Sequence, residues 1–480
     1  MRLKMRFATS LLLAASLAGC ATVQQTLPFE VNKALEKAQL TPSNLGVMAF
    51  PLDQPNSGLR LNAGTAMQPG SAMKLVTAAV ALDRLGPNGR GSTELLGDGP
   101  VENGVLMSPL YLRGNGDPEL DWGSLNALLR LLHDQGVREI RGGLVVDRSL
   151  FTPARLELGQ PPFDEQPEFP YNVIPDALMV NGNLLDFFLS SDDKALSVHA
   201  APAWPGIRID VQDIALTDRL ACKDWEDGWK IPTVEQGEAG PLIHLHGEFP
   251  RNCKVEQEFN LVDRQWLAAQ AVRAMWRELG GSFTESTDRE GATPATARVL
   301  ATHRARPLAE VLRGVMKRSD NALARLTYLR IGVEAGSADE PTLEASARTV
   351  RQWFAGKGID TTGLVLDNGS GLSRSERITP AQLAGLLVAS NKGRHGPELL
   401  GTLPVAGVDG TLSRRFKGTD AQGLARMKTG TLNNAVALAG YVPDASGRTW
   451  VVVGIVNAPE AGRGRAVLDQ LVLWVSQQRN

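Results

Sequence analysis

Among its 480 residues this chain has little that would read a nucleic acid. Aromatic residues make up 5%, too few for a strip of base-stacking rings, and a formal net charge of −2 provides no basic field for a phosphate backbone. Nucleic acid is therefore excluded as a partner. Cysteine is scarce: Cys20, Cys222 and Cys253 are the whole supply, and none has another at metal-ligand spacing. His244 and His246 alternate along an apparent strand, but no third histidine or carboxylate accompanies them at a telling spacing. They are expected to face solvent, and neither a metal nor another cofactor is expected. No Gly-rich stretch carries the lysine of a phosphate cradle. Long hydrophobic runs are missing as well. The stretch from Phe7 to Ala18 is too short to span a bilayer, and nothing later in the chain could span one.

What is present begins at the N-terminus. Arg2, Lys4 and Arg6 precede the Phe7–Ala18 run, the charged-then-apolar layout of a secretory signal. It ends in Leu17-Ala18-Gly19-Cys20, which resembles a bacterial lipobox, so residues 1–20 are expected to be a lipoprotein signal peptide and Cys20 the lipidated residue. Ala21 in place of Asp implies, by resemblance to Gram-negative lipoproteins, a periplasmic protein anchored to the outer membrane. Cys222 and Cys253 stand 31 residues apart. In an oxidising compartment they pair as a disulfide; two separate buried thiols are the alternative.

The chain is too long for one core. "FEVNKALEKAQL" reads as a helix and "NLGVMAFPLD" as a strand. In "QPGSAMKLVTAAVALDRLG" a Pro-Gly turn hands over to a helix that Ser71 begins and Gly86 ends. From about residue 88 to 260 short strand-like pieces alternate with Pro- and Gly-rich turns. Helical pattern then returns and dominates to about residue 400. "ARMKTGTL", "AVALAGYVPD" and "TWVVVGIVNA" follow as three strands, and "AVLDQLVLWVSQQ" closes as an amphipathic helix. The reading is an α+β protein whose helix-flanked antiparallel sheet is built from both ends of the chain, with a strand-rich insertion between.

Three short motifs fall in order along this framework. Ser71 and Lys74, three residues apart on a helix, point to one side, so the amine can accept the serine proton. A serine hydroxyl is a weak nucleophile until such a base is within reach. The second motif is Ser319-Asp320-Asn321; the third is Lys428-Thr429-Gly430 on a strand. S-x-x-K, S-x-N and K-T-G in this order are the signature set of penicillin-binding proteins and serine β-lactamases. Ser319 follows Ser71 by 248 residues, and the intervening strand-rich insert resembles that of the class C low-molecular-mass penicillin-binding proteins, the D-alanyl-D-alanine carboxypeptidase/endopeptidase family. "LRGNGDP", "LVVDRSLF", "PYNVIPDALMVNGN", "DNGSGLSR" and "GTLPVAGVDGTLSRRF" extend the resemblance over nearly the whole chain after residue 20.

The resemblance implies a penicillin-binding-protein/β-lactamase-like domain at 26–87 and 262–480, an inserted domain II at 88–187 and 248–261, and an inserted domain III at 188–247. It implies a serine DD-peptidase acting on peptidoglycan stem peptides, cleaving D-Ala-D-Ala ends and D-Ala–diaminopimelate cross-links, and acylated by β-lactams. Ser71 would attack the carbonyl, with Lys74 as general base, neutral through burial and the nearby Lys428. Ser319 would relay the proton to the leaving nitrogen, and Asn321 would hold a substrate carbonyl and position Lys74. Lys428 and Thr429 would bind the substrate carboxylate. The N–H groups of Ser71 and Thr431 would form an oxyanion hole, and Gly430 would leave room for substrate along the strand edge. Asp147 and Arg374, with Phe151 as a wall, would grip the zwitterionic end of diaminopimelate. A β-lactamase or esterase of the same fold and a non-catalytic wall sensor are the competing functions. The sequence leaves the oligomeric state open, a homodimer among the options.

Overall fold

The computed structural model describes residues 26–337 and 339–479, so the expected signal peptide, residues 1–20, and the expected lipidation site Cys20 lie outside the described residues. Five antiparallel strands form the central sheet, in the order Arg426–Leu432, Ala435–Pro443, Thr449–Asn457, Leu45–Pro51, Leu59–Leu61. The N-terminal strand thus pairs with the last one, Met48 opposite Val453. Its inner strands are apolar throughout rather than alternating, because both faces are covered. On one face Phe29–Lys37 and Arg465–Ser476 bury Val31, Leu35, Leu468 and Val472. On the other lies the Lys74–Leu85 helix. Every residue from Lys74 to Leu82 in that helix is buried. The small side chains of Ala78, Ala79 and Ala81 allow neighbours to approach all round it, and Gly86, at φ 73°, ends it.

The insert holds a five-stranded mixed sheet and three smaller sheets. Its extent corrects the expected boundaries. Arg298–Arg304 pairs with Ser92–Gly97, and Asp288–Glu290 runs parallel to Leu144–Asp147. The Arg264–Glu278 helix buries Leu267, Val272 and Trp276 in the insert's own core. The chain therefore rejoins the central-sheet domain near Ala305 rather than at 262. That helix has the same periodicity as those following it, and the short polar strands after it carry little signal. The expected cut at 247/248 also falls inside a strand, Gly240–Pro250, and the cut at 187/188 falls inside Leu185–Ser191, the strand that Lys254–Phe259 pairs with. Cys222 and Cys253 form a disulfide, which ties the Cys222–Gly228 turn to the start of Lys254–Phe259. His244 and His246 are not free in solvent: each stands beside an aspartate of the parallel neighbour, Asp210 at 3.0 Å and Asp213 at 3.2 Å.

Candidate active site

Ser71 lies on a single 3₁₀ turn, Gly70–Met73, that leads into the helix beginning at Lys74. The turn is pressed against the outer edge of Arg426–Leu432. A side chain on Gly430 would stand 2.1 Å from the Pro69 carbonyl oxygen and 3.1 Å from Ser71 N, and one on Gly70 (φ 51°) would stand 2.9 Å from Thr431 N. Both positions are glycine because the two backbones touch. Gly430 thus makes room for the nucleophile turn, where the expectation was room for substrate. Ser71 N and Thr431 N both lie at this close approach of the two backbones.

The S-D-N motif joins two helices. Ser319 is the left-handed residue ending Leu308–Arg318 (φ 62°, ψ 36°), a conformation that costs a non-glycine residue energy and is found at functional sites. Asp320 caps the next helix by accepting from Leu323 N at 2.9 Å, and Asn321 is that helix's first residue. Ser319 and Asn321 therefore project into the cleft from the joint between the two helices.

Three motifs distant in sequence meet here. Lys74 Nζ lies 2.9 Å from Ser71 Oγ, 2.6 Å from Asn321 Oδ1 and 2.5 Å from the Ser370 carbonyl oxygen. Lys428 Nζ donates to Ser319 Oγ at 2.8 Å and to the Thr429 carbonyl at 2.8 Å. Thr429 Oγ1 donates to Thr411 Oγ1 at 2.8 Å. Both amines are fully buried. Burial, then the charge of Lys428, pulls the Lys74 pKa well below its ordinary value, and burial brings Lys428 down to about 7. A neutral amine beside a hydroxyl, with a second buried amine held on Ser319, can abstract the hydroxyl proton.

The cleft has a volume of about 840 Å³ and is lined by Ser71, Ser319, Asn321 and Thr431 together with Arg374 and Tyr171. Arg374 donates to the Phe163 carbonyl at 2.7 Å and its guanidinium lies over the Phe163 ring, 5.0 Å from the centroid. Asp147 and Phe151 are not brought to it. Asp147 is buried and accepts from Ser149 N at 3.0 Å, Ser149 Oγ at 2.6 Å and Thr293 N at 2.7 Å, which anchors a turn of the insert. Phe151 is packed among Leu156, Ala177, Leu326 and Leu329. The carboxylate that does line the cleft is Asp164, accepting from Tyr171 Oη at 2.9 Å and Asn172 Nδ2 at 2.7 Å. Sequence reasoning missed it: it sits in an irregular Pro-rich loop, and its one signal is nearness to Tyr171-Asn172.

Residues 27–478 match the family model for D-Ala-D-Ala carboxypeptidase 3 (S13). A D-alanyl-D-alanine carboxypeptidase of Actinomadura sp. (strain R39) is 30% identical over 463 residues, covering 93% of this chain and 84% of that protein. The D-alanyl-D-alanine carboxypeptidase DacB of Haemophilus influenzae is 27% identical over 432 residues, 88% of this chain and 86% of that one. Among solved structures, penicillin binding protein 4 (dacB) of Haemophilus influenzae superposes with a TM-score of 0.80 at 24% identity, covering 93% of this chain and 99% of that chain. The fold is therefore that of a penicillin-binding protein with extra strand-rich units.

Proposed function

The chain belongs to the D-Ala-D-Ala carboxypeptidase 3 (S13) family, and on that premise we propose that it is a penicillin-sensitive serine DD-peptidase of peptidoglycan, cutting both D-Ala-D-Ala ends and D-Ala–diaminopimelate cross-links. The observation that carries this reading is the contact between Lys74 Nζ and Ser71 Oγ at 2.9 Å, made by an amine whose burial favours its neutral form. Neutral Lys74 takes the Ser71 proton as Oγ bonds to the carbonyl carbon of the penultimate D-alanine. The N–H groups of Ser71 and Thr431 receive the developing oxyanion. Lys428 and Thr429 bind the terminal carboxylate. Ser319, held by Lys428, relays the proton that Lys74 has gained to the leaving nitrogen, the C–N bond breaks, and Lys74 is neutral again for the attack of water. Water then cleaves the Ser71 ester and regenerates the hydroxyl.

Arg374 and Asp164, both lining the cleft, present opposite charges to the acyl side of the substrate, as the carboxylate and ammonium of a diaminopimelate side chain require. In this reading Asp164 takes the part expected of Asp147. The signal sequence and Cys20 support export to the periplasm and a lipid anchor in the outer membrane. Digestion of purified muropeptides, with products weighed by mass spectrometry, tests the activity: monomers losing D-alanine and cross-linked dimers falling to monomers are both expected. A fluorescent penicillin should label the wild type and not Ser71→Ala. Intact dimers would remove the endopeptidase half of the proposal, and labelling that survives in the variant would move the nucleophile elsewhere.

A further inference from the structure

A carboxylate unused by the chemistry above is buried behind the nucleophile. Glu376 is inaccessible to solvent, and its Oε1 accepts from three successive backbone N–H groups: Gly369 at 2.8 Å, Asn368 at 3.1 Å and Asp367 at 3.4 Å. One acceptor gathering three consecutive donors fixes the course of the loop that carries them. Asn368 Oδ1 tightens it further, accepting from Ser370 N at 3.0 Å and Ser370 Oγ at 2.6 Å.

The loop lies flat against the nucleophile. Thr77, on the nucleophile helix, donates to the Gly369 carbonyl at 2.6 Å. Gly371, at φ 83°, is so close to the Ser71 turn that a side chain there would stand 2.0 Å from the Gly70 carbonyl oxygen. Between them, the Ser370 carbonyl reaches Lys74 Nζ at 2.5 Å.

The orientation of the amine follows from counting its hydrogens. A neutral lysine amine has two N–H bonds and one lone pair. The Ser370 carbonyl oxygen and Asn321 Oδ1 are acceptors; Ser71 Oγ–H is the one neighbour that can donate. With both hydrogens committed to Ser370 and Asn321, the lone pair faces the Ser71 hydroxyl, the orientation a general base needs. Without the Ser370 carbonyl one hydrogen is free to turn toward Ser71, and the lone pair turns away.

We infer that Glu376 is a positioning residue for acylation: through the 367–373 loop it holds the Ser370 carbonyl on Lys74 and so aims the Lys74 lone pair at Ser71. The inference rests on Lys74 as the base. Its test is the saturation kinetics of penicillin acylation, which separate the first-order acylation constant from the dissociation constant of the non-covalent complex. Glu376→Leu removes the acceptor and should lower the acylation constant about 100-fold, the scale of a misplaced reacting group, with the dissociation constant unchanged. Glu376→Gln keeps an acceptor oxygen and should restore acylation to within about 5-fold of wild type. Where Glu376→Leu fails to fold, Asn368→Ala decides, because it frees Ser370 from a partly exposed position; a drop of about 10-fold in the acylation constant alone is expected. An acylation constant within about twofold of wild type in a folded Glu376→Leu or Asn368→Ala protein overturns the inference, as does an equal loss in both constants. Wild-type protein that penicillin does not acylate, or label that persists in Ser71→Ala, would instead defeat the serine–lysine reading itself.

Discussion

Replacing Gly430 with alanine puts the contact between the K-T-G strand and the nucleophile turn to a direct test. The added carbon would stand 2.1 Å from the Pro69 carbonyl oxygen, 3.0 Å from Ala72 N and 3.1 Å from Ser71 N. All three are backbone atoms, so no flexible side chain can yield. Ordinary carbon–oxygen contact begins near ~3.2 Å, and the turn must therefore retreat by about 1 Å, carrying Ser71 with it; a shift of that size is worth roughly 100-fold in rate. Overpacking should also cost about 1–3 kcal/mol of stability. Gly454→Ala is the control: its carbon would meet Leu468 Cδ2 at 2.6 Å, in the same sheet but away from the nucleophile, so stability falls while chemistry does not. The assay is the second-order rate of labelling by a fluorescent penicillin, with melting curves on the same samples. Gly430→Ala acylating within about threefold of wild type would refute the reasoning, since the turn would then have moved without consequence for Ser71.

Four further outcomes are expected. Because Lys428 is held at about 7, kcat/KM for a carboxylate-ended peptide should fall as pH rises through that value, and the acid limb should report loss of neutral Lys74; a flat profile from about pH 7 to 9 contradicts this. The same depression sets a sign for stability: the unfolded lysine binds its proton more tightly, so this group's contribution to stability rises with pH between about 7 and 10.5, a trend that denaturant midpoints would reveal. Asp147→Ala strips the partner from two N–H groups and a hydroxyl and should cost about 1–3 kcal/mol of stability with penicillin acylation intact, whereas Asp164→Ala should slow diaminopimelate peptides selectively; the reverse pattern would return the specificity role to Asp147. Cys20→Ala should abolish fatty-acid labelling and release the protein from the membrane fraction, and an unlabelled wild type would reduce the N-terminus to an ordinary signal peptide.

The motif residues were legible because each obeys a local rule. Ser71 follows a Pro-Gly turn, the Asp320 cap separates two helical patterns, and Lys428 lies on a strand, so residue type and context agreed at three places. Asp147 and Phe151 misled because an acidic residue at a strand end and an aromatic beside it look alike whether they face substrate or core. Their contacts, Thr293 N and Leu326, lie far away in sequence. Glu376 was invisible for a related reason: its partners are backbone N–H groups, which every residue has. The end of the insert was lost where strands are two to seven residues long and polar, since their pairing partners, not their own pattern, make them strands.

The pairing of Leu45–Pro51 with Thr449–Asn457 has a consequence for the life of the chain before it is an enzyme. A ribosome delivers Ser71 early and Lys428 late, and the sheet that brings them together cannot close until the final strands have been made. The segment from about 88 to 304, by contrast, has its own core and is free to fold first. Until synthesis is complete, the apolar strand near the N-terminus has no neighbour on that side, and such an unpaired edge invites aggregation. A chain lacking Thr449–Asn457 therefore has its nucleophile but no assembled site, and hydrolytic activity is withheld until that strand has joined the sheet.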